Sequence, residues 1–454
     1  MPRRMSGNVP IEMPIEMPIE MPIEKMRIAF VVHEFPVLSE TFIVNQAIGL
    51  IDRGHEVDIF TRRLGDADKV HPDVYHYGLL DRVRVLPAVP ENYVLRVMGA
   101  IALIFKYGYR YPGPVGRSLN PFSRGIRALS LWSLFTAIPA LNWPSYDVIH
   151  CQFGNLGFHG LLVKDFNPSA KLVMMFRGFD ISQYLRDKGD RLYEFIFTRA
   201  DFFLTNCDFF RQRLLALGCP ANRVRVHYSG LDCEKFPLKL RTRKPDEPIR
   251  IASTGRLVEK KGFEYSIRAI AQVAKQVPVI YHIMGDGPLR PALSALIESL
   301  GLSGQVRLLG WCDEAEIIRV LERAHLFVSP SVTAASGNQD APINVLKEAM
   351  ALGLPVVSTV HGGIPELVQD GVSGRLLPER DADAIAQALL DLIAQPERWP
   401  AMGQAGRAYV KAHYDLHKLN DQLALLYREL LSEDRTLNGG KAANKIPLAQ
   451  AVSP

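Results

Sequence analysis

The sequence is poor in cysteine, and its few cysteines are scattered. Five occur in 454 residues, an odd number, and no pair has the C-x-x-C spacing. A disulfide framework and a cysteine-based zinc site both depend on such pairings. We therefore expect neither, and the composition fits a reducing cytosol. The cysteines are Cys151, Cys207, Cys219, Cys233 and Cys312.

The sequence also lacks a strong charge of one sign and a secretory leader. Its formal net charge is only +5, from 53 basic and 48 acidic residues. Such a mild excess suits an anionic ligand or an anionic membrane surface and is too weak to indicate nucleic acid as a partner. No apolar central region follows the early arginines, so the N-terminus does not read as a signal peptide.

The two ends of the chain do not have the composition of folded segments. Residues 9–24 repeat a four-residue unit with proline in every copy, which prevents a helix and offers no surface to bury. We predict that residues 1–25 are a disordered extension. Helical periodicity predicts a final helix over 406–434 that packs back on the first half of the chain. The polar residues 435–454 are predicted to be a disordered tail.

Between these ends, β-branched apolar runs alternate with helical patterns. RIAFVVH at 27–33, a helical segment at 39–54 and HEVDIFT at 55–61 form a β-α-β unit, and similar units recur. Repeated units of this kind predict parallel sheets covered by helices. The charged, proline-bearing segment 239–248 separates two such series. The fold class is therefore α/β, with two doubly wound, Rossmann-like domains over 26–238 and 249–405.

Residues 92–141 interrupt the alternation. They combine apolar runs with six basic residues. The uncharged stretch 128–146 contains Pro139 and Pro144, which argue against a helix that spans a bilayer. Two interpretations stay open, namely ordinary core helices or a surface that enters a membrane interface. The basic residues are Arg96, Lys106, Arg110, Arg117, Arg124 and Arg127.

The segment DAPINVLKEAMALGLPVVST, residues 340–359, is the most informative. Pro342 and Gly353 bracket a predicted helix, with Asp340 at its mouth and Glu348 about two turns inside. Asn344 and Glu348 share one face. Helix N-terminal amides suit a phosphate or a sugar hydroxyl, and a carboxylate can accept hydrogen bonds from ribose hydroxyls. This is the layout of a nucleotide-sugar site; alternatively, Asp340 caps the helix and Glu348 is solvated.

Glycine-rich turns follow several predicted strands of the second series. GRLVEKKG at 255–262 contributes Gly255, Arg256 and Lys261, and MGDGPLR at 284–290 contributes Gly285. Doubly wound sheets bind ligands at the carboxyl ends of their strands. An arginine can bind a diphosphate through two hydrogen bonds, and a lysine adds a point charge. HGGIPEL at 361–367 permits another close backbone approach.

Taken together, these motifs resemble glycosyltransferase family 4, whose members are retaining enzymes of GT-B fold. GRLVEKKG, MGDGP, the proline-serine of FVSPS, D-x(7)-E and GLPVVST with GGIPELV occur in family order, and the similarity spans about 26–430. HEFPVLSETFI and VHYSGLDCEKF resemble a subgroup that builds bacterial exopolysaccharides such as colanic acid. The resemblance implies an acceptor-binding first domain and a donor-binding second domain facing each other across a cleft.

The resemblance also implies roles for single residues. Those matching Arg256 and Lys261 hold the donor diphosphate, the one matching Glu348 binds the ribose, and the one matching Asp340 contacts the transferred sugar. We therefore expect Asp340, Arg256 and Lys261 to be catalytic. The expected substrate-binding residues are Glu348, Asn344, Gly255, Gly285, Arg177, Glu40 and Thr41.

Some positions depart from the family pattern. Aspartate stands at position 340 where the family usually has glutamate, and VLSETF replaces the common glycine pair after the first strand. Ser39, Glu40 and Thr41 are therefore the candidates in that loop. Many members have a histidine where this chain has Arg177, in RGFD. Arg177 either pairs with Asp180 or faces the cleft and binds an anion.

We expect no metal and no cofactor. DAD at 66–68 and 381–383 resembles the D-x-D signature of metal-dependent transferases, but the second precedes an apparent helix, where aspartate is a natural cap. Cationic side chains can instead stabilise the leaving diphosphate.

The expected activity is retaining transfer of a sugar to a lipid-linked oligosaccharide in exopolysaccharide or cell-surface polysaccharide synthesis. A UDP-sugar is favoured over a GDP-sugar as donor. The expected location is cytoplasmic, peripheral on the inner face of the plasma membrane, with an anionic lipid surface as a second partner. The alternatives are a GT-B-fold nucleotide-sugar epimerase and a non-catalytic nucleotide-sugar-binding protein. A nucleotide-dependent oxidoreductase should carry G-x-G-x-x-G after its first strand, and HEFPVLSETF has no glycine.

Overall fold

A computed structural model describes residues 24–442, apart from residues 39, 67–69, 87–88, 125, 136–142, 245 and 341–342. The proline repeat, the chain beyond 442, Ser39 and Pro342 lie outside the described residues. The structure confirms two parallel-sheet, Rossmann-like domains, as the sequence predicts.

The first domain is built on a parallel sheet of seven described strands. Their spatial order is β3-β2-β1-β4-β5-β6-β7, so the winding direction reverses between β1 and β4. Helices cover both faces, and β5 is accordingly buried along its whole length. The strands are β1 (Arg27–Phe35), β2 (Glu56–Leu64), β3 (Val83–Val85), β4 (Val148–Cys151), β5 (Lys171–Phe176), β6 (Phe202–Thr205) and β7 (Val224–Val226).

The second domain repeats this plan with six described strands. Their order is β10-β9-β8-β11-β12-β13, and the reversal falls between β8 and β11. Crevices for ligands form at such reversals, outside the carboxyl ends of the strands. The strands are β8 (Ile249–Thr254), β9 (Val279–Met284), β10 (Val306–Gly310), β11 (Leu326–Ser329), β12 (Val356–Thr359) and β13 (Gly374–Leu377).

Most of the helices connect successive strands and bury apolar side chains against the sheets. In the first domain they are α1 (Thr41–Asp52), α2 (Pro72–His76), α3 (Tyr93–Tyr107), α4 (Pro112–Leu119), α5 (Pro121–Arg124), α6 (Ile126–Leu129), α7 (Gly157–Phe166), α8 (Gln183–Lys188), α9 (Glu194–Arg199) and α10 (Asp208–Ala216). In the second they are α11 (Phe263–Val273), α12 (Arg290–Ser299), α13 (Glu314–Arg323), α14 (Asn344–Ala351), α15 (Ala382–Ala394) and α16 (Trp399–His413), followed by α17 (Leu416–Ala442).

The C-terminal helix differs from its prediction in two ways. The helix predicted over 406–434 is divided between α16 and α17, because the backbone near Tyr414 hydrogen-bonds to Leu231 instead of continuing the helix. Helix α17 also continues to Ala442, into the residues predicted to be a disordered tail, and no proline interrupts it. Leu423 and Tyr427 of α17 lie buried in the core of the first domain, so this helix ties the two ends of the chain together.

Among the described residues, no helix has the length and apolar character that crossing a bilayer requires. Helices α3 to α6 enclose only a small core of their own, centred on Ala100, Val115 and Leu134. Much of the apolar surface of α3 stays exposed.

Candidate functional site

The predicted charged residues of the second domain meet where its winding reverses. The loop after β8 carries Lys260 and Lys261, and the loop after β11 carries Asp340. The Lys261 Nζ lies 2.7 Å from one carboxylate oxygen of Asp340, and the Lys260 Nζ lies 2.8 Å from the other. The structure thus joins Lys261 and Asp340, and it adds Lys260, which the sequence analysis did not select.

Asp340 is ionised in this arrangement. It is only 7% exposed, and burial by itself would raise its pKa. Lys261 and Lys260 outweigh burial and hold the pKa of the Asp340 carboxyl well below its usual range. The carboxylate therefore keeps two ammonium groups in fixed positions at the carboxyl edge of the sheet.

A second set of polar side chains fixes the backbone of Asp340. The backbone N–H of Asp340 donates to Nε2 of His361 at 2.9 Å, and the other ring nitrogen lies 2.6 Å from the Glu379 carboxylate. Because Nε2 accepts, Nδ1 carries the proton and donates to Glu379. Neither His361 nor Glu379 was predicted from the sequence as a site residue. The one available signal was the position of His361, directly before the glycine pair of HGGIPEL.

Arg256 lies in the same loop as Lys261, and among the described residues it has no ion-pair partner. Its side chain is exposed, and its charge is close enough to act on the pKa of both Lys261 and Glu40. Two lysines thus contact the Asp340 carboxylate, and Arg256 adds a third positive charge near Lys261. The excess of positive charge at the carboxyl edge of the sheet suits a diphosphate.

Two glycines allow the loops of this edge to pack against one another. A Cβ on Gly285 would lie 2.0 Å from the carbonyl oxygen of Gly255, and one on Gly362 would lie 2.0 Å from that of Asp340. Both have positive φ, +132° and +50°. Any side chain at Gly285 or Gly362 would push the loops apart, which explains why these two positions are glycine.

The position of Asp340 relative to helix α14 corrects one expectation. The helix begins at Asn344, and its N-cap residue is Ile343, so Asp340 lies before the helix and does not cap it. The ion pairs with Lys260 and Lys261 draw the carboxylate towards the loop after β8 instead. Glu348 lies on the second turn of α14, as predicted.

Glu348 and Asn344 open into a cavity between the domains. The cavity has a volume of about 350 Å³, and Thr41, at the start of α1, lines it from the first domain. Burial, together with the charge of Glu314, raises the pKa of Glu348 to about 7, although Lys347 opposes the shift. Arg256, Lys261 and Asp340 do not belong to the lining, so the predicted ribose contact and the charged cluster are separate parts of the site.

Glu40 lies in the loop between β1 and α1, facing the cations. Burial raises the pKa of Glu40 to about 7, while the charges of Arg177 and Arg256 lower it. Arg256, a residue of the other domain, is thus close enough to Glu40 for its charge to lower the pKa of that carboxyl.

Arg177 was expected either to pair with Asp180 or to face the cleft, and its side chain does neither. Its guanidinium is buried and donates to the side chains of Gln152 at 2.7 Å, Ser229 at 3.0 Å and Gln46 at 3.3 Å. The Asp180 carboxylate accepts from the backbone N–H of Arg177, not from its side chain. Burial lowers the pKa of Arg177 to about 9. Its donors are occupied within the protein, so the structure assigns Arg177 to holding the first domain together.

Contacts from the first domain hold the loop that leads to Asp340. Arg186 of α8 donates to the carbonyl of Ala335 at 2.9 Å, and the N–H of Gln339 donates to Ser182 Oγ at 3.2 Å. Elsewhere on the interface, the Glu366 carboxylate accepts from the N–H groups of Asp208 and Phe209, both at 2.8 Å. Glu366 of the second domain thereby caps helix α10 of the first.

The two DAD sequences have different surroundings. Asp381 caps α15 by accepting from the N–H of Ala384 at 2.8 Å, as its position before a helix predicts. In the DAD sequence at 66–68, the structure describes Asp66 but not residues 67 and 68. Across the described ranges, His, Cys, Asp and Glu side chains do not gather in threes that could hold a metal ion.

Two family models match adjoining parts of the chain. Residues 39–235 match the model described as Glycosyltransferase Family 4, and residues 236–409 match Glycosyl transferases group 1. The amylovoran biosynthesis glycosyltransferase AmsK of Erwinia amylovora is 34% identical over 89% of this chain and all of AmsK. The putative colanic acid biosynthesis glycosyltransferase WcaL of Escherichia coli is 33% identical over 89% of this chain and all of WcaL.

Solved structures show the same fold. The Anabaena protein HepE, in complex with UDP-glucose, superposes with a TM-score of 0.64 at 19% identity, over 90% of this chain and all of HepE. The sucrose-phosphate synthase of Thermosynechococcus elongatus superposes with a TM-score of 0.65 at 20% identity, over 90% of this chain and all of the synthase. These similarities confirm the GT-B arrangement of the two domains.

Proposed function

This chain belongs to glycosyltransferase family 4, and from that premise we propose that it moves a sugar from a nucleoside-diphosphate sugar to a hydroxyl group of a lipid-linked oligosaccharide, with retention of configuration. The observation that carries the proposal is the cluster of Lys260 and Lys261 on the Asp340 carboxylate, with Arg256 in the same loop near Lys261. Its excess positive charge matches the diphosphate that such a donor releases. The pathway is the synthesis of an exopolysaccharide or another cell-surface polysaccharide.

The cations act on the leaving group. As the bond between the anomeric carbon and the diphosphate oxygen breaks, negative charge grows on the diphosphate and positive charge on the sugar. We propose that Arg256 and Lys261 stabilise the negative charge on the diphosphate and that the Asp340 carboxylate stabilises the positive charge on the sugar. Asp340 keeps both lysines in place before the donor arrives, and His361 holds Asp340, so little reorganisation is needed during the reaction.

The nucleoside end of the donor occupies the other part of the site. Glu348 and Asn344 line the cavity between the domains, where a carboxylate can accept hydrogen bonds from both ribose hydroxyls. We propose a UDP-sugar as the donor, in line with the UDP-glucose bound by the structurally similar HepE. The acceptor approaches from the first domain, past Glu40 and Thr41.

We further propose that the reaction needs neither a cofactor nor a divalent metal, because the cations beside Asp340 already supply the charge that a metal would add. The enzyme would work in the cytoplasm, peripherally on the inner face of the plasma membrane, where the acceptor is anchored.

The proposed activity can be tested with a panel of nucleotide-sugar donors. Purified protein is incubated with UDP-, GDP- and ADP-sugars, with and without a membrane extract, and released nucleotide is measured. We expect release from a UDP-sugar that depends on the extract, and radiolabelled sugar that moves into the lipid fraction. NMR of the isolated product should show the anomeric configuration of the donor.

Other outcomes would contradict the proposal in distinct ways. Conversion of the sugar to its epimer would indicate the epimerase. Nucleotide binding without release from any donor would indicate a non-catalytic binding protein. A product of inverted configuration would be consistent with sugar transfer and would contradict retention of configuration.

A further inference from the structure

One side of helix α3 carries a continuous row of exposed apolar side chains. Val94, Met98, Ile101 and Phe105 follow one another at helical spacing, and their exposed fractions lie between 49% and 81%. Ala100 alone is recorded as buried in this helix. Most apolar residues of α3 therefore face away from the protein.

Other apolar side chains of this segment are also exposed. Tyr93, Leu95, Tyr109 and Leu129 are more than half exposed, and Phe122 is fully exposed. Scattered single apolar residues are ordinary on a protein surface, but a contiguous group of this kind marks a surface that binds something. We call Val94, Met98, Ile101 and Phe105, with Tyr109, the apolar face of α3.

The charge around this face has one sign. Between Glu91 and Asp147 the sequence contains no acidic residue and six basic ones. Lys106 and Arg110 are exposed at the end of α3, each beside a tyrosine ring, with 5.3 Å from the Lys106 Nζ to the centre of Tyr107. A partner that covers the apolar face of α3 would therefore contact the positive charges of Lys106 and Arg110. The segment between Glu91 and Asp147 would present no negative charge to it.

Apolar side chains bordered by lysine and arginine match the surface of an anionic bilayer. Such a helix lies in the plane of the interface, with its apolar side chains among the acyl chains and its cations at the headgroups. Helix α3 has 15 residues and is about 22 Å long, shorter than the roughly 30 Å needed to span the hydrocarbon core. Arg96 interrupts its apolar sequence and donates to the carbonyl of Pro90 at 2.8 Å.

The position of α3 in the fold suits such an attachment. The helix follows β3, whose carboxyl end lies at the same edge of the parallel sheet as the loop with Glu40 and Thr41. The segment that leads into α3 thus starts at the edge of the sheet that carries the loop with Glu40 and Thr41.

We propose that the apolar face of α3, with Lys106 and Arg110, docks the enzyme on the surface of an anionic lipid bilayer. The docking explains how a lipid-linked acceptor reaches the cleft, and to that extent it rests on the proposed function. Binding to lipid needs neither donor nor transfer, so the two proposals can fail separately.

The experiment is co-sedimentation of the full chain with vesicles of phosphatidylcholine, alone or with phosphatidylglycerol. We expect binding to the mixed vesicles, weakened by high salt. Met98→Glu with Ile101→Glu should reduce this binding at least tenfold, and so should Lys106→Glu with Arg110→Glu. Matched controls in the second domain are Val372→Glu, at a site 52% exposed, and Lys275→Glu with Arg268→Glu on exposed positions; they should bind as the wild type does.

Circular dichroism and thermal unfolding establish that each variant folds. The proposal would be overturned if the wild-type protein did not bind anionic vesicles. It would also be overturned if the α3 variants bound them as the wild type does. A second copy of the chain is the other candidate occupant. If light scattering without vesicles shows a dimer that Met98→Glu with Ile101→Glu converts to a monomer, the face is a dimer interface and the proposal is wrong.

Discussion

Lys261 and Asp340 lie 79 positions apart in the chain, and their side chains form a 2.7 Å ion pair. The pair spans the point where the winding of the second sheet reverses, with Lys261 in the loop after β8 and Asp340 in the loop after β11. It joins the residue expected to hold the diphosphate to the one expected to face the transferred sugar. If the proposed roles are right, the two charges that act on either side of the breaking bond are fixed to each other before the donor binds.

Removing a cation should slow the transfer while leaving the fold intact. Each charged contact to the diphosphate is worth about 1.5–3 kcal/mol, so Arg256→Ala and Lys261→Ala should each lower kcat/KM by about ten- to a hundredfold. Arg268→Ala, at an exposed position of α11, is the control and should have no effect. Near-normal activity in both site variants would refute the diphosphate assignment.

Asp340→Asn should act mainly on kcat, because the carboxylate is proposed to interact with charge that develops only in the transition state. The variant also leaves Lys260 and Lys261 without their counter-charge, so thermal unfolding must be measured beside steady-state kinetics at saturating acceptor. Asp340→Glu, which restores the residue usual in the family, should keep substantial activity. Wild-type kcat in folded Asp340→Asn would leave Asp340 with a structural role only.

Donor binding should depend on pH through Glu348. Its pKa is raised to about 7, and only the ionised carboxylate accepts well from both ribose hydroxyls. The KM for the donor should fall as pH rises from 6 to 8. Glu348→Gln should raise KM more than it lowers kcat and should flatten this dependence. The pKa of Glu40 is also about 7, so Glu40→Gln is the control and should keep the pH dependence of KM.

The raised pKa of Glu348 should also make folding stability depend on pH, but stability should fall as pH rises, whereas donor binding should improve. A carboxyl whose pKa is higher in the folded state than in the unfolded chain stabilises the fold below the unfolded value, near 4.5. That contribution is lost as pH rises through about 7. In urea unfolding, Glu348→Gln should therefore lose less stability between pH 5 and 8 than the wild type does; an identical loss would contradict the shift.

Glu366→Ala should weaken the contact between the domains. The carboxylate accepts from two N–H groups at the start of α10, and loss of such a cap costs about 0.5–2 kcal/mol. We expect a decrease of that size in the free energy of unfolding. Glu397→Ala, at an exposed position of the second domain, is the control and should change little. Equal stability of the two variants would show that the trans-domain cap contributes nothing.

Activity should survive removal of divalent metals. Arg256, Lys260 and Lys261 already supply positive charge where a metal ion would act on the diphosphate. Nucleotide release is measured after dialysis against EDTA, then with added magnesium or manganese. Loss of activity that either metal restores would show that the cations are insufficient.

Local sequence patterns predicted both the two α/β domains and the family. Alternating apolar runs and helical periodicities determine strands and helices, and glycine turns mark the loops, because these signals act over a few residues. The resemblance to the family likewise selected Arg256, Lys261, Asp340 and Glu348, whose proposed roles stay predictions.

What each of these side chains contacts depended on long-range packing. Lys260 and His361 were missed because their contacts to Asp340 join loops that follow three different strands. Arg177 was expected in the cleft or paired with Asp180, yet its guanidinium turns into the first domain to reach Gln152 and Ser229. The sequence determined which chemical groups stand at each strand end, whereas only the tertiary structure decided which of them meet, because contacts between distant segments form only when the sheets and domains pack.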